Sequence, residues 1–416
     1  MKKIVACLSA LLLVACMAAL SEADESKVLQ SGDYQYSILD DGTAEITGYL
    51  GSETELIIPL QLDGLTVTVI GDKAFSSRRD LTSVAIPDSV TKIGEGAFSS
   101  CYKLATVQLP KGLTVIGAEA VSGCSFADIQ IPEGVIAIGE KAFANNEDLT
   151  GIIIPAGVTE IGDNAFFYCV KLESVSLPES LTYLGEGAFY KCKSLKEATL
   201  PGGIKTVRYQ TFSYAGIERL VLSDGITALD ELAIDYCDYL SCLVLPSTLE
   251  IMATDAVYAC DSLTEVEVPA SLRTVGGNPF SCCMNLGRIT VAPDNPYFEV
   301  VDGILYGIED RSLACYPCAL PGTEAVVRDG TEVIHQAAFS WATNIKTVTM
   351  PEGLLSIGNY AFQGCLNLET ANVPSSVVEI GRLVFYNCPL LTLTVEEGSY
   401  AARYCAFESI PYAVRQ

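Results

Sequence analysis

The sequence predicts an α/β, mainly β fold: a solenoid of about 13 coils of 22–23 residues, started by a β-hairpin cap and interrupted late by an inserted hairpin. Three observations predict it. The stretch IPDSVTKIGEGAFSSCYKL (86–104) returns on the same frame of letters as LPESLTYLGEGAFYKCKSL (177–195) and MPEGLLSIGNYAFQGCLNL (350–368). The apolar residue of the "IG" pair recurs at Ile70, Ile93, Ile116, Ile138, Ile161, Leu184, Val207, Leu229, Met252, Val275, Ile334, Ile357 and Ile380, in steps of 22 or 23 apart from one of 59. Half of the 416 residues are hydrophobic and only 18% are charged, so there is apolar surface for a large core. At this period each unit can bury its share only by stacking on its neighbours.

The chain opens with MKKIVACLSALLLVACMAALSEADES: two lysines, an apolar run from Ile4 to about Leu20, then small and polar residues. That is the pattern of an export signal over 1–23. Cleavage after Ser21-Glu22-Ala23 competes with a lipobox reading of LVAC (13–16), in which Cys16 carries a lipid. No second apolar stretch reaches the ~20 residues of a bilayer span, so the mature chain is expected to be secreted or held at a cell surface by its N-terminus. Residues 24–58 leave the repeat. YQYSILDDGTAEITGYL alternates apolar and polar residues around Asp41-Gly42 and reads as a β-hairpin capping the first coil.

Repeats occupy 59–291 and 329–390, and each column of the unit has a physical task. Proline stands six residues before the "I" in ten of thirteen units, where it ends a short strand such as Leu172-x-x-Val175-x-Leu177 because it cannot donate to a ladder. Strands of this kind in stacked units align in parallel, ~4.8 Å apart. The glycine after the "I", present in nine units, suits either a positive φ or a close approach between coils. Phenylalanine follows five residues after the "I" in ten units and is the large wedge of each coil. Cysteine follows at eight in nine units, and Arg78, Asn146, Ala215 and Ala342 replace it elsewhere. A residue that recurs once per coil and exchanges with alanine fills a buried column; it is neither a nucleophile nor a metal ligand. Disulfides between coils are open to an exported chain, yet nine is odd, and mostly free thiols are expected. Residues 292–328 read as the inserted hairpin, with Cys315-x-x-Cys318 inside it. A zinc ribbon needs a second such pair and none follows, which leaves a local disulfide or two plain thiols. Cys282, beside the column residue Cys283, has no explanation in the repeat. Residues 391–416 depart from the pattern and form a C-terminal cap.

The unit L-x-x-[VIL]-x-[LIV]-P-x-x-[VL]-x-x-I-G-x-x-A-F-x-x-C closely resembles the BspA-type leucine-rich repeat of bacterial surface and secreted proteins, over residues 59–390. The cap sequence YSILDDGTAEITGYLG, the insertion VDGILYG and the ending EGSYAARYC look like that family too. The resemblance implies a right-handed, curved solenoid with a parallel sheet on its concave side. It also implies adhesion-like binding of host or bacterial surface macromolecules, with no catalytic residues to carry over.

Composition narrows the function further. With 25 Lys and Arg against 51 Asp and Glu the formal charge is −26, which repels nucleic acid and anionic lipid headgroups. The single histidine, His335, rules out a multi-histidine metal site within the chain, and no phosphate loop or EF-hand spacing is present, so neither an enzyme nor a cofactor is expected. What remains is a protein or glycan partner bound by a monomer, with a structural spacer as the alternative. Two surfaces are candidates. On the strands, Val221, Cys242 and Val244 point outward as a small apolar patch flanked by Arg219, Glu265 and Glu267, although β-branched residues also simply suit strands. Just after the "AF", Phe167, Tyr190 and Tyr258 share one column and Tyr168, Tyr214 and Tyr236 the next, an aromatic strip suited to an interface or to packing between coils.

Overall fold

The computed structural model describes residues 28–415. The segment read as an export signal, with Cys16, lies outside the described residues. Every coil runs through three hydrogen-bonded faces. The first is the parallel sheet expected before the proline, with rungs such as Thr106–Gln108, Ser174–Ser176, Arg219–Leu222 and Thr392–Val395. Its inner residues are buried and its outer ones exposed or partly so, as in Glu197–Leu200, which alternates out and in. Each proline carbonyl then accepts from the amide three residues on, as Pro87 does from Val90 and Pro178 from Leu181, and this turns the chain off the sheet.

The second face is a sheet that the periodicity does not reveal. Residue pairs such as Lys92–Ile93, Val115–Ile116 and Ala137–Ile138 form two-residue strands paired in register from coil to coil. The "I" side chains point into the core. The glycine that follows has an ordinary negative φ, so of its two expected uses it is close approach that applies. A Cβ on Gly162 would lie 2.5 Å from Glu140 N, and one on Gly185 2.3 Å from Asp163 N.

The third face carries the "AF" segment. Counting the "I" as position 0, the amides of positions 3, 5 and 7 donate to the carbonyls of positions 2, 4 and 6 of the next coil. Lys73, Phe75 and Ser77 do so to Glu95, Ala97 and Ser99, and Asn164, Phe166 and Tyr168 to Glu186, Ala188 and Tyr190. Position 7 is left-handed throughout and position 3 everywhere but Asn278, and both are mostly not glycine: Lys73 has φ 57°, Tyr168 63°, Lys191 59°, Tyr214 55°, Tyr236 50°. Side chains rarely adopt that conformation, so the ladder must hold it in place. Cys282, with φ 60°, is a member of this position-7 column, which accounts for it.

Phenylalanines of position 5 stack along the core. Phe143, Phe166, Phe189 and Phe212 have successive centroids 5.5 Å apart, and Phe339, Phe362 and Phe385 form a second run. The cysteine column does more than fill space. Each thiol donates to the position-5 carbonyl of the preceding coil: Cys101 to Phe75 O at 3.2 Å, Cys192 to Phe166 O at 3.2 Å, Cys365 to Phe339 O at 3.1 Å. Two of its replacements also donate, Asn146 through Nδ2 to Val121 O and Arg78 to the carbonyls of Tyr49 and Gly51.

Both ends and the interruption differ from expectation in detail. The cap is a three-stranded antiparallel meander, Leu29–Ser31, Tyr34–Ile38 and Ala44–Tyr49, whose last strand runs parallel to the first coil with Ile46 opposite Ile70. The insertion is likewise three strands rather than two: Phe298–Val301, Ile304–Gly307 and Ser312–Cys315, the last parallel to Val333–Ile334 with Leu313 opposite Ile334. Three residues beyond these "I" positions, Tyr49 meets Phe75 and Tyr316 stacks on Phe339 at 4.9 Å. The insertion is thus a second cap inside the chain. Leu305, Ala314 and Cys315 face the core of the preceding coils, while Ile304, Tyr306, Leu313 and Tyr316 start a separate core. With these rungs the solenoid has about 16 turns rather than 13. Helix is almost absent, as a mainly β fold requires: the described residues hold one helix, Tyr400–Glu408, which Ser399 caps by accepting from Ala402 N.

Candidate functional site

The aromatic strip forms on the third face. The rings run from Phe167 to Tyr190 (5.0 Å, stacked), Tyr214 (5.9 Å, edge-on), Tyr236 (4.7 Å, stacked) and Tyr258 (5.4 Å, edge-on), crossing between the two columns over five coils. Tyr214 and Tyr236 are 40% and 39% exposed, so the stack is built but its outer surface is open. Tyr168 joins through Lys191, whose ammonium lies 5.3–5.7 Å from the ring centroids of Tyr168, Tyr190 and Tyr214. Cation–π contacts of this kind fix a lysine over rings at ~0.5–2 kcal/mol. Lys191 escaped the sequence reading because it is not aromatic, although it holds position 7 between Tyr168 and Tyr214 of the adjacent coils and follows Tyr190 in its own. Beneath the strip lies Asp235, 2% exposed, with its Oδ1 and the nearby Ser213 Oγ lacking hydrogen-bond partners. Burial pushes its carboxyl up to about 6.

The strand patch is also where the register puts it. Val221 pairs with Val244 and Arg219 with Cys242. Arg219 reaches across to Cys242, Nη1 to Sγ 2.9 Å, and Glu265 pairs with Arg288 at 3.4 Å. Val244 is 38% exposed, and Glu265 and Glu267 line a depression of about 340 Å³ together with Cys242, Arg288 and Thr290. A larger furrow of about 570 Å³ lies on the same face nearer the N-terminal end, where Gly151, Ser174 and Ser176 leave room beside Ile153. Ile153 is 75% exposed and is the side chain that sequence reasoning passed over; the signal was a run of small outward neighbours around one large apolar residue.

His335 sits half-buried 3.3 Å from Asp310, and burial lowers its pKa. Among the described residues no three His, Cys, Asp or Glu side chains are grouped to hold a metal ion. No described helix is long and apolar enough to cross a membrane.

The chain resembles several bacterial proteins. A leucine-rich repeat protein from Bacteroides ovatus is 26% identical, with a TM-score of 0.64 over 93% of this chain and 100% of that one. A leucine rich cell surface protein from Faecalibacterium prausnitzii is 25% identical over 94% of this chain and 100% of its own, with a TM-score of 0.44. A leucine-rich repeat protein of T. pallidum is 30% identical over 55% of this chain and 86% of its own, with a TM-score of 0.35. No curated protein matches. The model of the BspA type leucine rich repeat region matches residues 68–196, 159–287 and 318–412. The three-faced coil and its recurring Pro, Gly, Phe and Cys columns are therefore those of a BspA-type leucine-rich repeat protein, and the chain belongs to that family.

Proposed function

We propose that this chain is an exported or surface-held interaction module that grips a protein or glycan partner through the aromatic strip of its central coils, with the Arg219, Val221, Val244, Glu265 and Glu267 patch as a second contact. One observation carries the reading. The rings of Tyr190, Tyr214, Tyr236 and Tyr258 are pre-stacked and partly exposed, and Tyr214 and Tyr236, like Tyr168, are mounted on left-handed backbone. Rigid tyrosines give a large contact area for little ordering entropy. Packing alone does not call for tyrosine there, since other coils fill the same columns with Ser, Gly, Asn and Ala. The acidic surface disfavours nucleic acid and anionic membranes, and the surface location follows the family and the N-terminal signal.

The test is a triple variant, Tyr168→Ser, Tyr214→Ser and Tyr236→Ser, compared with the parent for binding to purified extracellular-matrix proteins, to defined glycans and to intact bacterial cells. Loss of a parent interaction with unchanged circular dichroism supports the strip. Binding kept at full strength removes it, and a parent that binds none of the panel favours the spacer.

A further inference from the structure

The strip does not end at Tyr258. Across the insertion the position-7 column passes through the small residues Ala259 and Cys282 and reaches Trp341, the only tryptophan in the chain. The gap is a cavity of about 280 Å³. Tyr258, Trp341 and Tyr360 form its walls, and the buried Ser281 and Ser340 lie at its base. Gly364 makes room for the indole: a Cβ there would lie 2.7 Å from Trp341 Cδ2. Glu231 and Asp255 bring two carboxylates to the lining, beside Cys282, Gln336, Ala337 and Gln363.

No lysine, arginine or histidine among the described residues lines this cavity. Among the described residues neither Glu231 nor Asp255 belongs to an ion pair, although thirteen such pairs occur elsewhere. None of the three rings carries a lysine or arginine cation from among the described residues. Asp255 accepts from Ser281 Oγ, and burial together with Glu231 raises its pKa.

We propose that this cavity is a cage for an organic monocation, an alkylammonium or guanidinium head such as a lysine or arginine side chain presents. An anion would meet two carboxylates in a chain of charge −26. A neutral apolar group would desolvate those carboxylates without pairing them. A metal ion would find two carboxylates, short of the three grouped His, Cys, Asp or Glu side chains that would hold one, and among the described residues no such group occurs. Aromatic faces and carboxylates together are the chemistry that holds organic cations. The volume lies just under the ~300–1,000 Å³ of small-molecule pockets, which suits a side-chain head rather than a cofactor. The cage does not depend on the strip binding anything.

Trp341 reports on the cage alone, because the chain has no other tryptophan. Its emission is to be titrated with Nα-acetyl-lysine methylamide, Nα-acetyl-arginine methylamide and tetramethylammonium, with the neutral Nα-acetyl-norleucine methylamide as control and a lysine-rich decapeptide as a separate arm. The cations should give a saturable change and the norleucine probe none. The double variant Glu231→Gln with Asp255→Asn should raise Kd about tenfold or more. Should that variant lose its circular dichroism signature, Tyr360→Ala at the exposed rim should still weaken cation binding several-fold. Tighter binding of the decapeptide than of the single residues would assign the cation to a basic protein segment, and equal binding to a free amine; both retain the cage. An equal response to norleucine, no saturable response to any cation, or an unchanged Kd in a folded variant overturns it.

Discussion

The first coils and the central ones share a frame and differ in two columns. In the first three coils, positions 6 and 7 are Ser76-Ser77, Ser99-Ser100 and Ser122-Gly123, with Ser76 and Ser99 hydroxyls 2.9 Å apart. In the coils from Ile161 to Met252 the same positions hold Phe167-Tyr168, Tyr190-Lys191, Ser213-Tyr214, Asp235-Tyr236 and Tyr258-Ala259. The backbone ladder continues beneath both, and most of these coils keep the phenylalanine and the thiol donor, with Val121, Ile234 and Val257 as smaller apolar replacements in the one column and Arg78 and Ala215 in the other. Stability is thus carried by columns that cannot vary much, while two columns over the same backbone are free to carry chemistry.

The largest effect should come from the shared frame. Phe189→Ala, buried between Phe166 and Phe212, should cost ~3–5 kcal/mol through the cavity it leaves. Phe98→Ala should cost less, by about 0.5–1.5 kcal/mol, because Phe98 stacks only on Phe75 and meets Val121 on its other side. Equal unfolding free energies in urea would show that ring stacking adds nothing to burial.

Next comes the acid that only the aromatic region buries. Folding raises the Asp235 pKa from 3.8 to about 6. The folded chain therefore holds this proton more tightly than the unfolded chain, and its contribution to stability falls as pH rises from about 4 to about 6. Asp235→Asn should stabilise the protein by about 1–3 kcal/mol at pH 8 and by little at pH 4. A pH-independent difference in denaturation midpoint would contradict the burial argument.

Smaller still, Cys101→Ala in the serine region and Cys192→Ala in the aromatic region should each cost about 1–2 kcal/mol, for one weak donor and a small void. The two losses should match, since both thiols donate over 3.2 Å to a phenylalanine carbonyl. A clear difference in melting temperature would mean that the frame is not shared after all. Tyr214→Ser should change stability least, within about 1 kcal/mol, as lost stacking is the main cost. A larger loss would mean that the strip packs the coils.

Much of this was legible in the sequence because it recurs. Pro87, Phe98 and Cys101 declare their tasks by returning in the next coils, and the outward register of Arg219, Val221, Val244, Glu265 and Glu267 follows from alternation alone. The second sheet was not legible, since strands of two residues such as Lys92–Ile93 are too short to show a period. Nor was the third face, whose left-handed positions are filled by Lys, Gln, Tyr and Asp as well as Gly. The insertion read as a hairpin because its third strand, Ser312–Cys315, is buried on both sides and does not alternate. The cage was hidden by the 59-residue step that separates Asp255 from Trp341 and Tyr360 in sequence while placing them around one cavity.

The ladder of the third face has an electrical consequence. Its amides all point toward the C-terminal end and its carbonyls toward the N-terminal end, so the peptide dipoles add along the axis, in the opposite sense to an α-helix. The first coil therefore exposes the negative pole, and it is the one coil whose cysteine column holds an arginine, Arg78, donating to the cap carbonyls of Tyr49 and Gly51. A coil entering in reverse would set amide against amide. The polarity of the ladder thus dictates that each meander, at the start and at the interruption, must end on a strand running in the same sense as the coils that follow.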